Sequence, residues 1–143
     1  MTNRTLNLDS ALYHYLLDVS LRETPLLKRL REETAQLSTA RWQIAPEQGQ
    51  FMALLVQLIG ARRIVEVGTF TGYSAICMAQ AMPEEGRLIC CDIPGEYNTT
   101  AERYWREAGL SSRIEQRLAP ALQTLAALEA EGLAGSIDLL FID

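Results

Sequence analysis

The sequence predicts an α/β domain on a doubly wound, mostly parallel sheet, preceded by a helical extension. Two observations point there first. From residue 61 onward, short apolar runs rich in β-branched residues alternate with amphipathic stretches at helical spacing. The runs are continuously apolar rather than alternating, as in parallel strands covered on both faces. A third is local: the first run ends in an acid and a glycine, Glu66-Val67-Gly68, and a second glycine, Gly72, opens the next helix. Open α/β sheets place their ligand sites at such strand ends.

Residues 1–60 read as the helical extension and residues 61–143 as the core domain. Leu8, Leu12, Tyr15, Leu16 and Val19 fall at helical spacing. Thr24-Pro25 has the form of an N-cap and first helical position, opening a helix with Leu26, Leu27 and Leu30. The segment RWQIAPEQGQ breaks the pattern, and Pro46 starts a third helix that Gly60 stops. In the core, strands are expected over 62–67, 87–92, 113–118 and 136–143. Helices are expected over 72–82, 97–108 and 120–131, the last two stopped by Gly109 and Gly132. Tyr104 and Trp105 lie at core spacing, whereas Trp42, in the loop before the third helix, is left open as a stacking residue.

At 143 residues, with 48% apolar and 22% charged residues, the chain is sized for one domain with a real core. Its 13 Lys+Arg against 18 Asp+Glu leave a net charge of −5 with no basic block, a composition unsuited to nucleic acid or an anionic membrane. No run approaches the roughly 20 apolar residues of a membrane span. The opening MTNRTLNLDS lacks the apolar core of a signal peptide. Cys77, Cys90 and Cys91 are odd in number, and two are adjacent in a strand, so they read as reduced thiols in a cytoplasmic protein. The single histidine, His14, excludes a His-rich metal site and argues against a Ser/His/Asp triad.

The stretch IVEVGTFTGYS carries the chemistry. Its glycines allow a sharp turn and a close backbone approach to a ligand. It is neither the G-x-G-x-x-G of dinucleotide enzymes nor a P-loop. An acid beside the turn suits an ammonium or sulfonium group rather than a pyrophosphate. Asp92 ends the second strand 20 residues after Gly72, where a carboxylate accepts hydrogen bonds from ribose hydroxyls. Glu66 and Asp92 together would hold a nucleoside with a cationic amino-acid tail, a description that S-adenosylmethionine (SAM) fits.

The segment IVEVGTFTGYSAICMAQAMPEEGRLICCDI resembles the SAM-dependent O-methyltransferases of the caffeoyl-CoA and catechol O-methyltransferase group. The resemblance extends upstream to QIAPEQGQF and downstream to IDLLFID. It implies a Rossmann-like class I methyltransferase fold with strand order 3-2-1-4 over the segment present. It also implies methyl transfer from SAM to a hydroxyl of a small, catechol-like aromatic acceptor, assisted by a divalent cation such as Mg2+. Residue by residue, Glu66, Gly68, Thr69 and Ser74 match the loop around the methionine part of SAM. Asp92 matches the ribose acid, and Ile93 the apolar residue beside adenine. Ala121 matches a backbone contact to the adenine edge. Ile44 stands where plant relatives have threonine, so only its backbone carries over. Asp143 matches the first acid of the metal-binding segment next to the acceptor oxygen.

The same resemblance makes these 143 residues a C-terminally incomplete enzyme, inactive alone, since the remaining metal ligands and last strands of the family have no counterpart in them. Apolar stripes at Leu8/Leu12/Leu16 and Leu26/Leu30 suggest a homodimer. Two alternatives stand beside the leading reading. One is an NAD(P)-binding oxidoreductase on the same topology. The other is a non-catalytic fragment that binds a nucleoside or only dimerises.

Overall fold

In the computed structural model, which describes residues 8–143, the core strands are β1 (Arg63–Val67), β2 (Arg87–Asp92), β3 (Ile114–Leu118) and β4 (Leu139–Ile142). They form one parallel sheet in the order β3-β2-β1-β4. This is the doubly wound α/β arrangement expected, with the expected strand order. Residues 1–7, assigned above to the helical extension and to a segment without a signal-peptide core, lie outside the described residues.

The helices are α1 (Ser10–Ser20), α2 (Pro25–Thr34), α3 (Pro46–Ile59), α4 (Tyr73–Ala81), α5 (Tyr97–Glu107) and α6 (Ala121–Ala130). Local chemistry sets their ends. The Asp9 carboxylate accepts from Leu12 N–H at 2.8 Å, and the Thr24 hydroxyl accepts from Leu27 N–H at 3.3 Å, so both helices open on capped donors. Gly60 closes α3 at φ +61°, a left-handed cap. The 3₁₀ turn Ala40–Trp42 occupies the stretch where the sequence predicts only a break.

The main apolar cluster joins the extension to the sheet. Leu27 and Leu30 of α2 and Met52 and Val56 of α3 are buried with Ile64 of β1, Leu88 of β2 and Ile76 and Met78 of α4. Helices α3 and α4 approach closely at Gly49, where a Cβ would lie 2.8 Å from Cys77 Sγ. A smaller cluster, Val65, Ile89, Cys91 and Leu128, sits under α6 on the opposite face. Helix α1 buries no residue, and Leu12, Tyr15 and Val19 stay exposed. The stripe at Leu26/Leu30 is thus largely taken up inside the chain, while that on α1 is not.

Strand β4 is shorter than the predicted 136–143. Asp138 explains its late start. Its Oδ2 accepts from the backbone N–H groups of Arg62 and Arg63, both at 2.8 Å, which anchors the entry to β1. The Ser136 hydroxyl donates to Leu133 O, so residues 133–136 close as a turn. Tyr104 and Trp105 are buried as predicted, at 3% exposure each, and all three cysteines are free and buried.

Candidate functional site

The carboxyl ends of β1, β2 and β4 converge on one cavity of about 610 Å³. Its floor is the loop after β1. Gly68 adopts φ +93° and donates to Cys91 O at 2.9 Å, turning the chain back toward β2. A Cβ on Gly68 would lie 2.8 Å from the backbone oxygen of Asp143. Gly72, at φ +83°, precedes α4, and its Cβ would lie 2.6 Å from Trp105 Nε1. Glycine is required at both positions by conformation and by space.

Asp92 organises this loop. Its Oδ2 accepts from Thr69 N–H at 3.0 Å and Phe70 N–H at 2.9 Å, while Oδ1 accepts from Ile93 N–H at 2.8 Å. A carboxylate offers about four acceptor sites, so one remains for a ligand. Asp92 lines the cavity with Gly68, Ile93 and Asp143. Ile93 is 63% exposed there.

Glu66 lies behind the loop rather than on the cavity wall. It is fully buried and accepts from the Ser74 hydroxyl and from Cys90 Sγ, the latter at 3.3 Å. It takes part in no ion pair among the described residues. Burial pushes its carboxyl up to about 7, against the two hydrogen bonds that favour the ionised form; the negative charges of Asp143 and Asp92 add to the rise.

Ile44, Thr69, Ser74 and Asp143 meet in a small cleft beside the main cavity. The Thr69 hydroxyl is buried there and has no hydrogen-bond partner among the described residues. Ala121 begins α6 and lies outside the lining of either space. The turn before it is tied to the site, since Ala119 N–H donates to Asp92 O at 2.9 Å. The structure therefore brings together Ile44, Gly68, Thr69, Ser74, Asp92, Ile93 and Asp143, with Glu66 one layer behind and Ala121 to one side.

Sequence reasoning missed Phe70, Tyr97 and Arg41, all on the cavity wall, and left Trp42 open. Tyr97 had a visible signal, since it opens the helix that follows Asp92. Phe70 had none, because its positive φ of 49° is a conformation phenylalanine does not favour.

No helix among the described residues is long and apolar enough to cross a membrane. Among them, no three His, Cys, Asp or Glu side chains converge as a metal-binding group.

The pattern of the O-methyltransferase family matches residues 17–143. Catechol O-methyltransferase domain-containing protein 1 of Mus musculus is 41% identical over 135 residues, which cover 94% of this chain and 52% of that protein. Caffeoyl-CoA O-methyltransferase 2 of Petunia hybrida is 36% identical, over 99% of this chain and 60% of that protein. Among solved structures, an O-methyltransferase from Bacillus cereus in complex with S-adenosylhomocysteine (SAH) has a TM-score of 0.84 at 32% identity, covering 93% of this chain and 60% of that one. The O-methyltransferase TomG from Streptomyces achromogenes, involved in tomaymycin synthesis and in complex with SAM, has a TM-score of 0.82 at 31% identity, covering 93% and 59%. The chain spans 52% of the mouse relative and 60% of the petunia relative.

Proposed function

Because the chain belongs to the O-methyltransferase family, we propose that it binds SAM at the β1/β2 strand ends and serves transfer of its methyl group to a hydroxyl of a small aromatic acceptor. The observation that carries this reading is Asp92. One carboxylate fixes the glycine loop and still faces a cavity of about 610 Å³, a volume in the range of small-ligand sites. The SAM and SAH bound in related structures favour this cofactor over a nicotinamide dinucleotide.

The residues present fit the cofactor. Gly68 leaves the space a Cβ would fill, and the unpartnered Thr69 hydroxyl is a donor ready for a carboxylate. When bound, SAM supplies an electrophilic methyl on a sulfonium and is left as the neutral thioether. Asp92 accepts from a ribose hydroxyl through its one remaining acceptor site. Ile93 gives an apolar surface for the base. Ser74 lines the small cleft that would take the amino-acid tail, and Glu66, one layer behind it, favours a cation there when ionised. Asp143 lies on the acceptor side. Holding donor and acceptor in line lowers the entropic part of the barrier.

A divalent cation does not meet the same test with these residues. Asp143 offers one carboxylate, whereas hard cations take six or so oxygen ligands, and no further group converges among the described residues. No step is assigned to a metal. A homodimer and a cytosolic setting belong to the same proposal. Exposed apolar residues on α1 and α3, among them Val19, Phe51 and Leu58, support the first, and three buried free thiols support the second.

Calorimetric titration of the full-length gene product with SAM tests the reading. Asp92→Ala should weaken binding by about 1.5–3 kcal/mol, the range for hydrogen bonds to a charged group. Unchanged affinity in that variant would remove the ribose assignment.

A further inference from the structure

The amino ends of the strands hold a second cavity, of about 470 Å³, a volume in the range of small-ligand sites. It shares no lining residue with the cofactor cavity. At about 3.3 Å per residue, the short strands put roughly 15 Å between the two ends of the sheet.

Four arginines line this cavity: Arg63, Arg87, Arg113 and Arg117. Parallel pairing brings three of them abreast. Arg63 is the register partner of Arg87. Leu88 pairs with Ile114, and its N–H donates to Arg113 O at 2.9 Å, so Arg113 stands beside Arg87. With neighbouring strands about 4.8 Å apart, the row runs roughly 10 Å from its first arginine to its last.

The acids nearby do not neutralise the row. Glu115 and Glu131, which also line the cavity, are both taken by Arg117. Its Nε donates to Glu115 Oε1 at 2.6 Å, and Nη1 and Nη2 donate to the two oxygens of Glu131 at 2.7 and 2.9 Å. The Asp138 carboxylate accepts from the backbone N–H groups of Arg62 and Arg63. The ion pairs found among the described residues include none of Asp138, Arg63, Arg87 and Arg113.

Carbonyl oxygens hold the guanidinium heads instead. Arg87 Nη1 donates to Glu85 O at 3.1 Å and to Gly86 O at 3.0 Å. Arg113 Nη2 donates to Met82 O at 3.1 Å and to Pro83 O at 2.7 Å. A carbonyl fixes a guanidinium without cancelling its charge, and most of the five N–H donors on each head are left over. Arg113 Nε is buried with no hydrogen-bond partner among the described residues, a desolvated donor that an acceptor would satisfy. Ser111 and Ser112 bring hydroxyls to the same lining, and Ile89 and Leu133 bring apolar surface.

Fixed guanidinium forks match phosphate oxygens. A single phosphate meets only part of a row this long, whereas linked phosphates span it. A concave space suits such a compact anion better than an acidic protein segment. We propose that the amino ends of β1, β2 and β3 form a second binding site, for a small ligand with two or more linked phosphates, held by Arg63, Arg87 and Arg113. The site stands independently of the cofactor reading above.

Calorimetry of the full-length gene product with inorganic triphosphate, at fixed ionic strength and without added divalent cation, tests the proposal. Triphosphate should saturate at one per chain and bind about tenfold or more tightly than inorganic phosphate. Arg63→Gln and Arg87→Gln should each weaken it about threefold to fivefold, the scale of a partly exposed ion pair. Arg87→Lys should keep more affinity than Arg87→Gln. Lys28→Gln removes the same charge from the exposed side of α2 and should change nothing. In the unaltered protein, triphosphate should protect Arg63 and Arg87 from phenylglyoxal, read by mass spectrometry. Cytidine triphosphate separates two sources of the phosphate chain. Binding no tighter than that of inorganic triphosphate assigns the site to the chain alone, and tighter binding that the same variants weaken assigns it to a nucleotide. No saturable triphosphate binding, affinity unchanged in both glutamine variants, an equal loss in Lys28→Gln, or no protection of Arg63 and Arg87 would each overturn the site. Tighter binding of a hexaglutamate peptide than of triphosphate would overturn it in favour of an acidic protein partner.

Discussion

Glu66 shows how much a single residue's environment decides here. Its carboxyl is out of water and meets a hydroxyl and a thiol but no cation among the described residues. Between the ordinary carboxylate value of 4.5 and about 7, the folded chain keeps a proton there that the unfolded chain has lost. The native state then binds more protons than the unfolded state, so stability falls as pH rises through this window and levels off above it. Melting temperature followed by circular dichroism between about pH 5 and pH 8 should decline for this reason, and Glu66→Gln should flatten the decline. A cationic ligand reverses the preference, because it favours ionised Glu66. SAM affinity, measured by calorimetry over the same range, should therefore rise as pH passes about 7. An affinity that falls with pH would show that the carboxyl does not face the cationic tail.

At the scale of elements, the glycine loop is held from three sides, by β4, α5 and α2. Gly68→Ala introduces a Cβ 2.8 Å from the Asp143 backbone oxygen at φ +93°. A non-glycine residue in left-handed backbone costs about 1–2 kcal/mol before any clash. The variant should lose about 2 kcal/mol or more in denaturant unfolding and should lose SAM binding. The nearest atom belongs to the residue after β4, so the clash is with the protein's own backbone. Helix α2 reaches the loop through the Thr34 hydroxyl, which donates to Leu30 O at 2.8 Å and lies 2.9 Å from the Thr71 hydroxyl. Thr34→Val should cost about 1–3 kcal/mol by leaving a buried hydroxyl without its partner, readable in the same unfolding experiment. That tie was invisible in the sequence, because Thr34 and Thr71 are 37 residues apart. The strand-end acid Asp92 was legible because its position follows from strand length and topology alone. The aromatic wall of Trp42, Phe70 and Tyr97 was not, because its three rings meet only after the turn, the loop and α5 are folded together.

At the scale of the whole molecule, two apolar surfaces remain uncovered among the described residues. One runs along α1 and α3, with Leu12, Tyr15, Val19, Phe51, Leu54 and Leu58 exposed. The other flanks β4, which pairs with β1 and has no second strand partner among the described residues. On that side Leu140 is 49% and Ile142 65% exposed, beside a cavity of about 270 Å³ lined by Val65, Leu125, Leu128 and Ile137. The two surfaces differ in kind. The helical face offers side chains alone and can close in a symmetric pair. The β4 edge also offers unpaired backbone groups, with no lysine, proline or bulge to blunt it. A polypeptide of these 143 residues and no more should therefore self-associate in two ways. Light scattering should show a discrete dimer that Phe51→Glu disrupts, and larger species growing with concentration that Ile142→Lys suppresses. Each substitution places a charge on one surface only, so the two effects should be independent. A strictly monomeric mass at micromolar concentration would mean that neither surface is sticky enough to matter, and that the exposed leucines of α1 and α3 are ordinary solvent-facing residues.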